Sequence, residues 1–147
     1  MKLLSIGADI GGSHMSCAAW DMTNKKYIGT THSQNPVNNH ETAEKIFKTW
    51  AATLTETLNK SGAETVKGVG FAIPAPFDYV SGTALYQGNN KKYENLYGLN
   101  IGEELRKLID LPGVFSIRYI NDATAFAIGE AWLGRTAAIR RNLALTL

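Results

Sequence analysis

The chain has 147 residues, 44% of them hydrophobic and 19% charged, a balance that fits a globular domain and excludes a disordered tail, a coiled coil and a collagen-like chain. Fifteen basic residues against thirteen acidic ones leave a net charge of +2, too small to point to nucleic acid or an anionic membrane as partner. No apolar run approaches the roughly 20 residues that span a bilayer, Asp9 interrupts the apolar N-terminus before a signal peptide is complete, and the single cysteine, Cys17, excludes an internal disulfide and a cysteine-rich zinc site, so the expected compartment is the cytoplasm.

Residues 3–9 (LLSIGAD) read as a short buried strand that stops at the Gly11-Gly12 turn. Residues 14–20 and 27–33 read as two more strands, and the three together predict an antiparallel meander. Residues 41–58 predict a helix, because Ile46, Phe47, Trp50, Leu54 and Leu58 recur at helical spacing, with Asn38 and Glu41 as its N-terminal cap and Gly62 as its stop. Residues 66–73 read as a buried strand that Pro74 ends. From Ala75 to Leu99 no regular element is predicted, but Tyr79, Tyr86, Tyr93 and Tyr97 argue for an ordered loop.

Asn100 with Glu103 caps a second predicted helix, whose apolar face is Ile101, Leu105, Leu108 and Ile109 and which Pro112-Gly113 closes. A strand over 114–120 follows, then a helix from Asn121 to Leu133 rich in alanine and stopped by Gly134, where small residues allow close approach to a neighbouring element. Residues 142–147 (NLALTL) read as a last strand. The order βββ-α-β-α-β-α predicts a ribonuclease H-like α/β domain over 1–134. The final strand, after a linker from 135, looks like the beginning of a second domain and exposes an edge that predicts association, including homodimerisation by strand exchange through 142–147.

Three segments carry candidate chemistry. In Asp9-Ile10-Gly11-Gly12-Ser13, glycines at a strand-to-strand turn permit positive φ and a close backbone approach, successive N–H groups can cradle a phosphate, and Asp9 suits Mg²⁺ through water; a plain hairpin with an incidental Asp is the competing reading. In Asn121-Asp122-Ala123, a carboxylate at a helix N-terminus can accept a proton from a substrate hydroxyl and Asn121 suits a polyol, although both residue types also serve as ordinary caps. In Gly68 to Pro76, a strand ends in Pro-Ala-Pro at the edge where α/β sheets bind ligands; a rigid loop is the alternative. His14, His32 and His40 lack metal-ligand spacing, Lys91 and Lys92 beside Tyr93 could bind a phosphate but read first as a solvated charge pair, and Cys17 reads as a small buried residue.

Taken in order, DIGGS, GVGFAIPAPFDYVSG, INDATAFAIGEAWLG and NLALTL resemble the N-terminal half of a ROK-family sugar kinase, the family named for repressor, open reading frame and kinase. The resemblance runs from about Leu4 to Leu147 and is most specific over Asn121 to Glu130. It implies the actin-like ATPase fold shared with hexokinases, with two ribonuclease H-like domains flanking a cleft. It implies ATP and Mg²⁺ as cofactors, a hexose or hexosamine derivative as substrate, and neither nucleic acid nor membrane as partner. By position, Asp9, Gly11, Gly12 and Ser13 match the first phosphate motif, Asp122 the catalytic base, Asn121 a sugar contact, and Ala75 the Gly of a Pro-Gly pair near the sugar; Asp78 and Gly82 match the turn beyond it. His14 stands where many members have Lys. The second phosphate motif, the adenine site and the His/Cys zinc motif are expected beyond Leu147, so the 147 residues are expected to be inactive alone. A non-catalytic sugar- or nucleotide-binding module, or an actin-like assembly domain, is the rival reading. The absence of a helix-turn-helix segment before residue 1 speaks against the repressor branch.

Overall fold

A computed structural model of the chain describes residues 2–62, 64, 66–88, 91–111 and 115–145. Three strands form the meander: β1 (Leu4–Ile10), β2 (His14–Asp21) and β3 (Lys26–Pro36). α1 (Ala43–Ser61) leads into β4 (Val66–Ile73), and a two-stranded hairpin of β5 (Phe77–Asp78) and β6 (Thr83–Ala84) follows. α2 (Ile101–Arg106), β7 (Ser116–Asn121) and α3 (Asp122–Leu133) complete the order. The five-stranded sheet runs β3-β2-β1-β4-β7. Its first three strands are antiparallel neighbours, and β1–β4 and β4–β7 are parallel.

Alternation along the strands gives the sheet two unlike faces. Leu4, Ile6, Ala8 and Ile10 of β1, Met15, Cys17 and Ala19 of β2, and Val69, Phe71 and Ile73 of β4 are buried on one face. α1 covers that face with Ile46, Phe47, Trp50, Leu54 and Leu58, and the short α2 adds Ile101 and Leu105. The opposite face presents Ser5, Gly7, Asp9, Ser16, Ala18, Gly70 and Ala72, and none of these is fully buried. Among the described residues α3 is the helix on that side, and none of its side chains is buried.

Several sequence expectations shift at their edges. β3 extends three residues past Ser33, because β2 continues to supply partners as far as the His14–Pro36 pair. The cap of α1 is Thr42, whose Oγ1 accepts from Lys45 N, rather than Asn38 with Glu41; Asn38 forms a tight turn before the helix and its Oδ1 accepts from His40 N. α2 lasts six residues, and Leu108 lies beyond it and is 45% exposed rather than part of the buried face. Asn100 does cap α2, its Oδ1 accepting from Glu103 N at 3.0 Å. Pro112, Gly113 and Val114 lie outside the described residues. The run 142–145 forms no strand: a lone segment has no ladder partner for its N–H and C=O groups, and Leu143 and Leu145 are 99% and 81% exposed. Leu147 lies outside the described residues.

Candidate functional site

The parallel pairing of β1, β4 and β7 aligns their carboxyl ends. Asp9 of β1 is in register with Ala72 of β4, and the next residue, Ile73, with Asn121 of β7. The Gly11-Gly12 turn, the Pro74-Ala75-Pro76 loop and the N-terminus of α3 therefore leave the sheet at one edge, where open α/β sheets take their ligands. All three segments singled out in the sequence meet there.

At the first, Gly11 N donates to His14 O at 2.9 Å and closes the hairpin. The two glycines are not in the left-handed region, so positive φ does not explain them; the described glycines with positive φ are Gly62, Gly82, Gly88 and Gly98. Space favours glycine at Gly11, where a backbone carbonyl stands close; at Gly12 the neighbour is only the movable end of a lysine. A methyl group on Gly11 would meet His14 O at 3.2 Å, and one on Gly12 would meet the Lys92 Nζ at 3.3 Å. The carbonyls of the turn are pinned from behind. Tyr93 Oη donates to Gly11 O at 2.6 Å, and Asn39 Nδ2 donates to Gly12 O. Tyr93 N in turn donates to Asn39 O at 3.1 Å. With its carbonyl oxygens tied to protein, the turn keeps a fixed shape at the sheet edge. Ser13 is exposed, with its Oγ 3.3 Å from His14 Nδ1.

At the second, Asn121 is the N-cap of α3 and its Oδ1 accepts from Thr124 N at 3.1 Å. Its Nδ2 lies within hydrogen-bond distance of Tyr79 Oη at 3.2 Å and of Asp122 Oδ1 at 3.1 Å. Asp122 Oδ1 also accepts from Ala123 N at 2.9 Å. Both hydrogen bonds thus fall on Oδ1 and orient the carboxylate. Tyr79, which donates to Ile73 O at 3.0 Å, is the post that holds Asn121.

At the third, the peptide before Pro76 is cis and Ala75 is exposed. Asp78 and Gly82 build the β5–β6 turn: Asp78 accepts from Val80 N, Ser81 N and Ser81 Oγ, and these bonds, the Ser81 hydroxyl foremost, hold its carboxyl below the usual range. Gly82, at φ +80°, rests against the Tyr119 ring. Their role is structural.

The edge is electrostatically uneven. Partial burial, and then the nearby Asp122 carboxylate, push the Asp9 carboxyl up, while His14 opposes them. Cys17 is pushed up to about 12, by burial first and by Asp9 second, so it stays a thiol and belongs to the core. A cleft of about 350 Å³ lies between the open sheet face and α3, lined among others by Asp9, Ser16, Gly70, Ala72 and Ala125. Among the described residues no three His, Cys, Asp or Glu side chains cluster as a metal site. For Mg²⁺, the fitting donor is the accessible Asp9 carboxylate.

Sequence reasoning missed the contacts of Asn39, Tyr79 and Tyr93 and favoured a solvated charge pair over phosphate binding for Lys92. Tyr93 lies 82 residues from Gly11, and nothing local signals such a contact. The row of tyrosines in the irregular loop was the only hint. Glu130, eight residues after Asp122, stands about 12 Å along the helix at the usual rise, where its carbonyl accepts from Gly134 N; it closes α3 and does not reach the edge.

A sheet of this order, with the carboxyl ends of β1, β4 and β7 at one edge, has the ribonuclease H-like architecture of the actin-like, hexokinase-type ATPase fold. The chain belongs to the ROK family, whose family model matches residues 5–147. Comparison with curated protein sequences gives no match. Among solved structures, it is similar to the inorganic polyphosphate/ATP-glucomannokinase of Arthrobacter sp. strain KM, with TM-score 0.68, 23% identity, 93% of this chain and 51% of that one. It is similar to a ROK family glucokinase from Streptomyces griseus in complex with glucose and AMPPNP, with TM-score 0.64, 24% identity, 89% of this chain and 37% of that one. A ROK family transcriptional regulator, a homolog of the E. coli MLC protein, also aligns, with TM-score 0.65, 16% identity, 95% of this chain and 33% of that one. The chain thus spans about half the length of these proteins or less.

Proposed function

We propose that this chain is the N-terminal half of an ATP-dependent sugar kinase acting on a hexose or hexosamine derivative. The observation that carries the reading is the convergence of the Asp9–Ser13 turn and Asp122 on one sheet edge, close enough for Asp122 to raise the pKa of Asp9. Asp122, with Oδ1 engaged by Asn121 and Ala123, turns Oδ2 to the substrate and takes the proton of the attacking sugar hydroxyl. That oxygen bonds to the terminal phosphorus of ATP, and the bond to the bridging oxygen breaks with its electron pair leaving on ADP. No strong base is needed, because phosphoryl transfer depends mostly on positioning and charge neutralisation. Asn121 orients Asp122 and offers its amide to a sugar hydroxyl, Ala75 lies beside the sugar, and Gly11, Gly12 and Ser13 face the phosphates. Mg²⁺, when bound near Asp9, neutralises phosphate charge.

The domain boundary falls after Gly134. On this reading residues 135–147 are the linker and the segment that would become the first strand of a second domain, which would pair the exposed Leu143 and Leu145 segment and bring the rest of the nucleotide site and any zinc. The kinase works in the cytoplasm, where its ATP is. No helix among the described residues is long and apolar enough to cross a membrane. In the full-length protein, Asp122→Asn is expected to lower kcat by about 10²–10⁴-fold with an unchanged circular-dichroism melt. Near-normal turnover ends the assignment of Asp122 as base.

The likeness to a transcriptional regulator supports a second reading, a sugar-sensing module in which Asn121 and Asp122 only cap α3. Sugar-dependent thermal stabilisation of the full-length protein, without ADP release, would select it.

A further inference from the structure

We infer that Lys92 is the phosphate-binding cation of the Gly11-Gly12 turn, and that the clamp formed by Tyr93 and Asn39 exists to place it there. The inference rests on the kinase reading and names a residue which that reading does not. The Lys92 ammonium lies 3.3 Å from where a methyl group on Gly12 would sit, with its Cε at 3.5 Å, so this exposed side chain runs beside the turn. Among the described residues no carboxylate pairs with it, whereas Lys45, Lys48, Lys60 and Lys107 each hold a glutamate.

Its position is imposed by the chain beside it. Tyr93 is fully buried, adopts φ +56°, and fixes both Gly11 O and Asn39 O by hydrogen bonds. Asn95 Nδ2 ties the same segment to Glu41 O at 2.8 Å. The backbone on either side of Gly12 is thus locked to the residues that follow Lys92.

Charge gives the arrangement its use. Asp9 and Asp122 make the sheet edge anionic, and a phosphate chain approaching the turn would be repelled by both. Lys92 and His14 are the basic side chains that lie against the two glycines, and of these Lys92 has the long flexible stem that lets its charged end follow a phosphate. Lys92 therefore supplies the charge-assisted contact to the phosphate chain that the glycine turn, carrying no side chain, cannot make.

The test uses steady-state ADP release by the full-length protein on its sugar. Lys92→Gln is expected to raise KM for ATP about tenfold or more, the loss of one charge-assisted contact, with KM for the sugar and the melting midpoint unchanged. Lys92→Arg is expected to restore most of the affinity. Lys91→Gln removes the same charge one residue away and is expected to leave KM for ATP as in the wild type. An unchanged KM in Lys92→Gln overturns the inference while the kinase reading stands. An equal rise in Lys91→Gln also overturns it, since the effect is then general surface charge. A wild-type protein that neither binds ATP nor releases ADP overturns the kinase reading and this inference with it.

Discussion

At the scale of single residues, the site is built against its own stability. Asp9 sits where burial and the Asp122 carboxylate disfavour its charge. A carboxyl whose folded-state pKa is raised holds its proton more tightly folded than unfolded. Stability is therefore lost as pH rises from the unfolded value through the folded one, and the loss is complete only above the folded value. Asp9→Asn is expected to raise the melting temperature at pH 7, and its advantage over the wild type should shrink as pH falls below the range where Asp9 titrates. Thermal melts of both proteins from pH 3 to 8 check this, and a wild type at least as stable as the variant at pH 7 refutes it. Gly82 shows the opposite economy, a residue kept for the fold alone. At φ +80°, with the Tyr119 ring occupying the place of any Cβ, Gly82→Ala is expected to cost about 1–3 kcal/mol in urea unfolding.

At the scale of elements, α1 and α3 are unlike although both were legible as helices. α1 carries one apolar stripe and buries Trp50, Leu54 and Ile46 completely or nearly so. α3 is apolar all round and buries nothing, leaving Phe126, Trp132 and Leu133 at 52%, 75% and 64% exposure. Its alanines allow close approach to the sheet, but close approach by small side chains removes little apolar surface from water. Amides in the middle of α3 are expected to exchange hydrogen much faster than those of α1 in this chain; equal protection would contradict the packing. Asn121 holds the one strong end of α3, so its cap and the orientation of Asp122 are the same set of hydrogen bonds.

At the scale of the molecule, one face of the sheet is a finished core and the other is not. Ser5, Gly7, Ser16, Ala18 and Gly70 are not fully buried on that other face, and Leu143 and Leu145 stand free beyond α3. On the kinase reading, a second domain completes the nucleotide site, and the 147 residues alone are expected to release no ADP above background in a coupled assay with any hexose. Robust turnover by this chain would show that positioning from one half of the cleft is enough, against the weight of entropy in phosphoryl transfer.

What the sequence determined by itself was local. Period-two and helical spacing of apolar residues fix which face of β1, β2, β4 and α1 is buried. Asn100 and Asn121 announce their helices because a cap needs only the next three residues. The three segments that meet at the sheet edge were legible too, since each is a strand end followed by a turn, a proline loop or a helix cap. The cap at Thr42 and the free end of the chain were not, because competing polar residues stand near the first and a strand exists only with its partner. Only the tertiary structure decided that Tyr93 and Asn39 hold the Gly11 and Gly12 carbonyls, that Lys92 lies over Gly12, and that Tyr79 steadies Asn121. Those contacts join residues 27 to 82 positions apart, across loops without periodicity, and no local pattern encodes a distance that the sheet order sets.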